Sequence, residues 1–112
     1  MAFNVIIVDD DAGFRRVARE LLEGNGITVV AEAADGGQAR EACRRHGPHG
    51  VLLDVNLPDT TGHVLADELR DAHPGLRILL TSTDASAGGL EDVPFLPKVE
   101  LALNDLATYF AN

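Results

Sequence analysis

The sequence has few of the residues that mark a secreted, membrane-spanning or nucleic-acid-binding protein. Cys43 is the only cysteine among 112 residues, so no disulfide can form within the chain, which fits a reducing, cytoplasmic location. No apolar run exceeds about five residues, far short of the roughly 20 that a membrane-spanning helix needs. No basic segment leads into an apolar run at the N-terminus, so we expect no secretory signal.

Positive charge is also scarce. Lys and Arg number 9 against 18 Asp and Glu, which gives a net charge of -9. This balance disfavours direct contact with nucleic acid or anionic lipid, because both repel an acidic surface. It permits a cation, or a partner protein with a basic face.

Short apolar segments alternate along the chain with segments of helical periodicity. The apolar segments are 3–8, 27–33, 51–53, 76–80 and 93–96. This alternation predicts an α/β fold with a parallel sheet covered on both faces. Five such strands match the doubly wound, flavodoxin-like order 2-1-3-4-5. We therefore expect a single domain over residues 1–112.

The segment that follows the fourth predicted strand is unusually short. Between Asp84 and Asp92 there is room for at most about two helical turns, and Gly88-Gly89 weakens even those. We therefore predict that the fourth helix is shortened or missing. A last helix is predicted to carry four apolar residues on one face: Leu103, Leu106, Ala107 and Phe110.

Acidic residues follow two of the predicted strands. Asp9 and Asp10 come directly after the first strand, and Asp54 comes directly after the third. These strands are neighbours in the predicted order, about 4.8 Å apart, so their acids should converge. Two like charges about 4 Å apart repel by roughly 4 kcal/mol at an effective dielectric constant near 20. A carboxylate pair with this repulsion suits a hard divalent cation such as Mg²⁺.

Hydroxyl groups and a lysine are predicted at the same edge of the sheet. Thr81, Ser82 and Thr83 follow the fourth strand, and Lys98 follows the fifth. A metal ion and an ammonium supply positive charge, a hydroxyl supplies a hydrogen bond, and a carboxylate can act as nucleophile. Such a set of groups can hold a phosphoryl group.

In these motifs the chain resembles the receiver domains of two-component response regulators. The resemblance covers almost the whole chain and rests on residues 8–10, 54–58, 62, 80–82 and 95–98, which read Val-Asp-Asp, Asp-Val-Asn-Leu-Pro, Gly, Leu-Thr-Ser and Phe-Leu-Pro-Lys. An acidic pair alone is a weak motif. The combination of acidic pair, Asp-x-x-Leu-Pro, hydroxyl and Pro-Lys, in this order on successive strands, is specific.

The resemblance implies a role for each matched residue. Asp54 would accept a phosphoryl group, and Mg²⁺ (or Mn²⁺) would be held by Asp10 directly, by Asp9 mainly through water, by Asp54 and by the main-chain carbonyl of Asn56. Lys98 would contact Asp54 and then the phosphoryl oxygens.

Two further residues would form the switch. Ser82 would supply the hydroxyl, because it lies five residues beyond Arg77, with Thr81 and Thr83 as alternatives one residue away. Phe95, three residues before Lys98, would be the aromatic residue whose ring moves as the hydroxyl moves.

The resemblance also implies partners. The phosphodonor would be a sensor histidine kinase, a phosphotransfer protein or a small molecule such as acetyl phosphate. The domain would phosphorylate and dephosphorylate itself rather than act as a turnover enzyme. A homodimer is left open, and direct contact with membrane or nucleic acid is not expected.

Two other functions fit parts of the sequence. A pseudo-receiver would have the fold and bind a partner without phosphorylation, and Thr83, a bulky residue after the hydroxyl, together with the short connection after it favours that function. A haloacid dehalogenase-like phosphatase would use Asp9 in the Asp9-x-Asp11 motif as its nucleophile, which leaves Asp54 unexplained.

Overall fold

A computed structural model describes residues 3–90 and 92–110 and contains a five-stranded, all-parallel sheet in the order β2-β1-β3-β4-β5. The strands are β1 Phe3–Val8, β2 Ile27–Ala33, β3 Gly50–Asp54, β4 Arg77–Ser82 and β5 Phe95–Pro97. The α-helices are α1 Ala12–Gly24, α2 Gly36–His46, α3 Gly62–Ala72 and α4 Ala107–Phe110, and a 3-10 helix spans Lys98–Leu103. The predicted fold class and strand order are confirmed.

The first three helices begin where the sequence supplies a capping side chain. Asp11 accepts from the main-chain N–H groups of Gly13 and Phe14, Asp35 accepts from that of Gln38, and Thr61 accepts from that of Val64. These bonds satisfy N–H groups that have no partner within the first turn of a helix. The caps place each helix start immediately after a strand end or loop, at the edge of the sheet where the acidic residues lie.

Two apolar clusters cover the two faces of the sheet. Side chains alternate along a strand, so Leu53 packs with α2 and α3 on one face, whereas Leu52 packs with α1 and α4 on the other. Phe110 of α4 packs directly against Gly50, where a Cβ atom would collide with its ring. The sheet is buried on both faces, as parallel sheets are.

The connection from β4 to β5 forms no helix in its described residues, 83–90 and 92–94. Ala87, Leu90 and Val93 pack against the apolar cluster on the α2–α3 face, where a helix would otherwise cover the sheet. Gly88 has φ +68°, a left-handed conformation that glycine adopts without strain. The prediction that the helix between β4 and β5 is shortened or missing is confirmed.

The predicted last helix is wrong in its extent. The chain forms the 3-10 helix 98–103, leaves it at Asn104 in an extended conformation, and begins α4 only at Ala107. The 3-10 period of three residues per turn buries Leu101 and leaves Leu103 81% exposed, so Leu103 does not share a face with Leu106. Asn25 stabilises the break, because its Oδ1 accepts from the main-chain N–H of Leu106.

Across the described ranges, no helix has both the length and the apolar character that crossing a membrane would require.

Candidate functional site

Three carboxylates meet at the C-terminal edge of the sheet. Asp9 and Asp10 follow β1, Asp54 ends β3, and one carboxylate oxygen of each lies within 4.8 Å of the others. Asp9 is fully buried and Asp54 is 7% exposed, whereas Asp10 is exposed to solvent. The predicted convergence arises because β1 and β3 are parallel neighbours whose carboxyl ends lie at the same edge.

Asp54 has an environment that disfavours its charge. Its Oδ1 accepts from the main-chain N–H of Asn56 at 3.2 Å. Burial, more than any other cause, raises the pKa of the Asp54 carboxyl to about 6, and the negative charge of Asp9 adds to this. The Asn56 hydrogen bond and the positive charge of Lys98 oppose the rise without cancelling it.

Lys98 is the ammonium of the site. Its Nζ lies 2.7 Å from Asp9 Oδ2 and 3.6 Å from Asp54 Oδ2, so it pairs more closely with Asp9 than with the predicted partner, Asp54. The ammonium also lies 4.0 Å from the centroid of the Phe14 ring, which attracts a cation through its π face. Phe14 was not among the site residues that the sequence predicted. Its place in the first turn of α1, directly after the acidic residues, was the signal that it could reach the site.

The three carboxylates and one ammonium fit a hard divalent cation. When all three acids are ionised, Lys98 balances only one of them, and the remaining negative charge is concentrated within 4.8 Å. All three acidic side chains present oxygen ligands, the type that Mg²⁺ and Mn²⁺ prefer. The exposure of Asp10 leaves solvent access for the waters that Mg²⁺ usually keeps. Among the described residues this is the one group of three or more His, Cys, Asp and Glu side chains close enough to hold a metal ion.

The three hydroxyl residues differ in their surroundings. Ser82 is buried, and its Oγ accepts from the main-chain N–H of Asp84 at 3.0 Å. Thr81 is also buried and is the register neighbour of Asp54, but its Oγ1 has no hydrogen-bond partner among the described residues. Thr83 is exposed. The hydroxyl of Ser82 is therefore joined to the start of the β4–β5 connection.

The loop from β3 to α3 is tightly packed against the end of β3. The main-chain N–H of Gly62 donates to the carbonyl of Val55 at 2.6 Å, and Asn56 pairs with Thr61 in an isolated bridge. A Cβ atom on Gly62 would lie 2.5 Å from the carbonyl oxygen of Asp54. Only glycine fits at this position, which explains why a glycine follows the loop.

Asp59 anchors the same loop to α2. Its two carboxylate oxygens accept from the main-chain N–H groups of Gly36 at 2.8 Å and Gly37 at 3.1 Å, which lowers the pKa of Asp59 below its usual range. Asp59 follows Pro58 in the loop and was not among the site residues that the sequence predicted. Its partners lie more than 20 residues away along the chain, so no local pattern could reveal them.

Phe95 and His63 lie beside the β4–β5 connection. Phe95 begins β5, is half-buried, and packs against the apolar cluster on the α2–α3 face. His63 on α3 uses Nε2 to bond the main-chain oxygen of Gly88 at 3.1 Å. His63 therefore connects α3 to the segment that replaces the fourth helix.

Comparisons with known proteins agree with this geometry. The family model described as the response regulator receiver domain matches residues 5–92. Chemotaxis protein CheY of Bacillus subtilis (strain 168) is 37% identical over 82 residues, which are 73% of this chain and 68% of that protein. The signal receiver domain of NarL from Mycobacterium tuberculosis superposes with a TM-score of 0.82 at 27% identity, covering 99% of this chain and 98% of that one.

A second class of relative is an enzyme. A protein-glutamate methylesterase/protein-glutamine glutaminase of Shewanella sp. (strain MR-4) is 30% identical over 109 residues, which cover 90% of this chain. The chain spans only 31% of that protein, so the likeness leaves more than two thirds of the enzyme unmatched.

Proposed function

The chain belongs to the family of response regulator receiver domains, which act in phosphorelay signalling, and we propose that Asp54 is its phosphoacceptor. The observation that carries this proposal is the carboxylate of Asp54 at the end of β3, within reach of Asp9, Asp10 and Lys98. The donor would be a phosphohistidine on a sensor histidine kinase or phosphotransfer protein, or a small phosphodonor such as acetyl phosphate.

The acidic residues would hold the cation. Asp10 would bind Mg²⁺ directly, Asp9 would bind it mainly through water, and Asp54 and the main-chain carbonyl of Asn56 would complete the protein ligands. When bound, Mg²⁺ (or Mn²⁺) neutralises charge on the phosphoryl oxygens. The rise in the pKa of Asp54 supports a cation here, because without one the ionised carboxylate is destabilised by burial and by Asp9.

The transfer is an in-line substitution at phosphorus. A carboxylate oxygen of Asp54 forms the new P–O bond as the bond from phosphorus to the donor nitrogen or oxygen breaks, and that donor atom keeps the electron pair. Lys98 would leave Asp9 to contact the phosphoryl oxygens, and positioning and electrostatics would supply the acceleration. Attack of water on the phosphorus of the aspartyl phosphate would then release phosphate and restore the carboxylate.

Ser82 and Phe95 would report the phosphorylation. The Ser82 hydroxyl bonds the main-chain N–H of Asp84, so a turn toward a phosphoryl oxygen would break that bond and free the start of the β4–β5 connection. Phe95 packs at the other end of this connection, and its ring would follow the change.

The proposal extends to the whole chain. Residues 1–112 would form one receiver domain that modifies itself rather than turning over a substrate, in the cytoplasm and without direct contact with membrane or nucleic acid. The rival phosphatase is less well supported, because its nucleophile, Asp9, is fully buried and paired with Lys98.

Mass spectrometry after incubation with acetyl phosphate and Mg²⁺ tests the proposal. We expect an adduct of about 80 Da, one phosphoryl group, on the wild-type protein and on Asp67→Asn, a matched control at an exposed aspartate of α3. Asp54→Asn should give no adduct. An unmodified wild-type protein would favour the pseudo-receiver, and an adduct that persists in Asp54→Asn but disappears in Asp9→Asn would favour the phosphatase.

A further inference from the structure

Arg15 on α1 contacts the main chain of the acidic turn. Its Nη1 donates to the carbonyl oxygen of Asp9 at 2.6 Å, and its side chain is 19% exposed. This carbonyl belongs to the peptide group that joins Asp9 to Asp10. A short bond from a guanidinium is a strong, directional hydrogen bond, so it restrains the orientation of that peptide group.

Arg15 is itself held in place by β2. Its Nε donates to Glu32 Oε1 at 2.9 Å, while Arg19 donates to Glu32 Oε2 from Nε at 3.0 Å and from Nη2 at 2.9 Å. The two carboxylate oxygens of Glu32 are thus divided between the two arginines. A continuous chain of bonds runs from Arg19 through Glu32 and Arg15 to the carbonyl of Asp9.

The same turn has a second restraint from within. Asp9 Oδ1 accepts from the main-chain N–H of Asp11 at 2.8 Å, and Asp11 caps α1. Asp10 lies between these two bonds and is the exposed acid of the cluster. With the Asp9 carbonyl held on one side and the Asp11 N–H on the other, the backbone of Asp10 has little freedom to rotate.

We propose that Arg15 is a positioning residue for the cation site, and that its bond to the Asp9 carbonyl orients Asp10 to receive the metal ion. This inference rests on the proposed function, in which Asp9 and Asp10 bind Mg²⁺. Residues that orient metal ligands without touching the metal commonly change metal affinity by tenfold or more when replaced.

Charge and positioning predict opposite effects at Arg15. A guanidinium beside the site repels a divalent cation, so loss of its charge alone would tighten Mg²⁺ binding. Loss of its hold on the Asp9 carbonyl would weaken binding, because Asp10 would have to be ordered when the ion arrives. The direction of the change therefore separates the two roles.

Isothermal titration of the full chain with MgCl₂ alone, without a phosphodonor, measures the effect. We expect Arg15→Gln to raise the Kd for Mg²⁺ about tenfold. Arg15→Lys keeps the charge but has a single donor nitrogen, which cannot bridge the Asp9 carbonyl and Glu32 as the guanidinium does, so its Kd should lie between those of wild type and Arg15→Gln. Arg19→Gln is the matched control, since Arg19 pairs with the same Glu32 carboxylate and its loss removes the same charge without removing the bond to Asp9, so its Kd should equal or fall below that of wild type.

Urea unfolding without Mg²⁺ shows which variants fold. If Arg15→Gln does not fold, Arg15→Lys provides the second test, because it keeps the positive charge, so a Kd above that of wild type reports the lost bridge alone and a Kd equal to that of wild type overturns the proposal. A Kd for Arg15→Gln that equals or falls below that of wild type would overturn the proposal, as would equal weakening in Arg15→Gln and Arg19→Gln. A wild-type protein that binds no Mg²⁺ would instead refute the proposed cation site.

Discussion

Asp54 and Asp9 are two buried acids that share one lysine. Lys98 lies closer to Asp9, so Asp54 keeps a raised pKa of about 6 that arises first from burial and then from its neighbour. A nucleophile must be ionised to attack, and near neutral pH the Asp54 carboxyl is ionised but destabilised. An ionised but destabilised carboxylate suits a group whose charge a bound cation would stabilise and which would then react with a phosphoryl group.

Replacing Asp54 should therefore stabilise the cation-free domain at high pH. The Asp54 carboxyl has a higher pKa in the folded state than in the unfolded state. Its contribution to the stability of the folded state is therefore fully present below the unfolded-state pKa and is lost as the pH rises through about 6. We expect Asp54→Asn to raise the free energy of unfolding by up to about 3 kcal/mol at pH 8 and by about half as much at pH 5.

Urea denaturation in EDTA at the two pH values measures this difference. Asp67→Asn, at an exposed position, should show no such pH dependence. An Asp54→Asn protein less stable than wild type at pH 8 would mean that Lys98 and the Asn56 hydrogen bond outweigh burial, contrary to the expectation.

At the scale of elements, the end of β3 and the start of α3 form one packed unit. The main-chain N–H of Gly62 donates to the carbonyl of Val55, and a Cβ atom on Gly62 would collide with the carbonyl oxygen of Asp54. Asp59 fastens the intervening loop to α2. Asp54, the proposed phosphoacceptor, therefore stands on a turn that is restrained from both sides, and this turn should tolerate little change.

Gly62→Ala tests that restraint. The added methyl group would meet the Asp54 carbonyl at 2.5 Å, so backbone must shift, and we expect a loss of about 1–3 kcal/mol in the free energy of unfolding together with slower labelling by acetyl phosphate.

Gly24→Ala is the matched control, because a Cβ atom there meets nothing within 4 Å. It should be neutral or stabilising in urea denaturation and should label at the wild-type rate. Wild-type labelling and stability in Gly62→Ala would show that the turn is more plastic than its contacts indicate.

The β4–β5 connection and the C-terminal segment depart from regular helices for different reasons. In the β4–β5 connection, the sequence itself shows a short segment with two adjacent glycines, so the missing helix was predicted correctly. In the second, the apolar spacing from Leu103 to Phe110 suits an α-helix, yet the chain buries Leu101 and breaks at Asn104. The bond from Leu106 to Asn25, 81 residues away along the chain, favours the break, and no local pattern contains it.

At the scale of the whole molecule, the net charge of -9 makes any cation stabilising to some degree. Specific binding at the acidic cluster should exceed this general screening. Mg²⁺ at 100 times its Kd should raise the free energy of unfolding by about 2.7 kcal/mol, because it binds the folded state alone.

Urea denaturation in MgCl₂ and in NaCl of equal ionic strength separates the two effects. The excess stabilisation by MgCl₂ should persist in Asp67→Asn and be largely lost in Asp10→Asn, which removes the exposed carboxylate of the cluster. Equal stabilisation by the two salts in the wild-type protein would argue against a specific cation site.

The strand order, the two covered faces, the helix caps and the meeting of Asp9, Asp10 and Asp54 were all predictable from the sequence. They follow from local patterns and from one rule of geometry, that the carboxyl ends of parallel neighbours share an edge. The candidate site residues stand at the ends of strands or directly after them, so placing the strands placed these residues.

The tertiary structure decided which partner each charged group takes. Lys98 is near two acids and pairs with Asp9, and Arg15 reaches the main chain of Asp9, although a sequence shows neither choice. The choice between partners at similar distances depends on side-chain rotamer, burial and main-chain orientation. These properties are fixed only when α1, β2 and β5 pack together. For the same reason only the tertiary structure shows that Asp59 anchors the loop after Asp54 to α2.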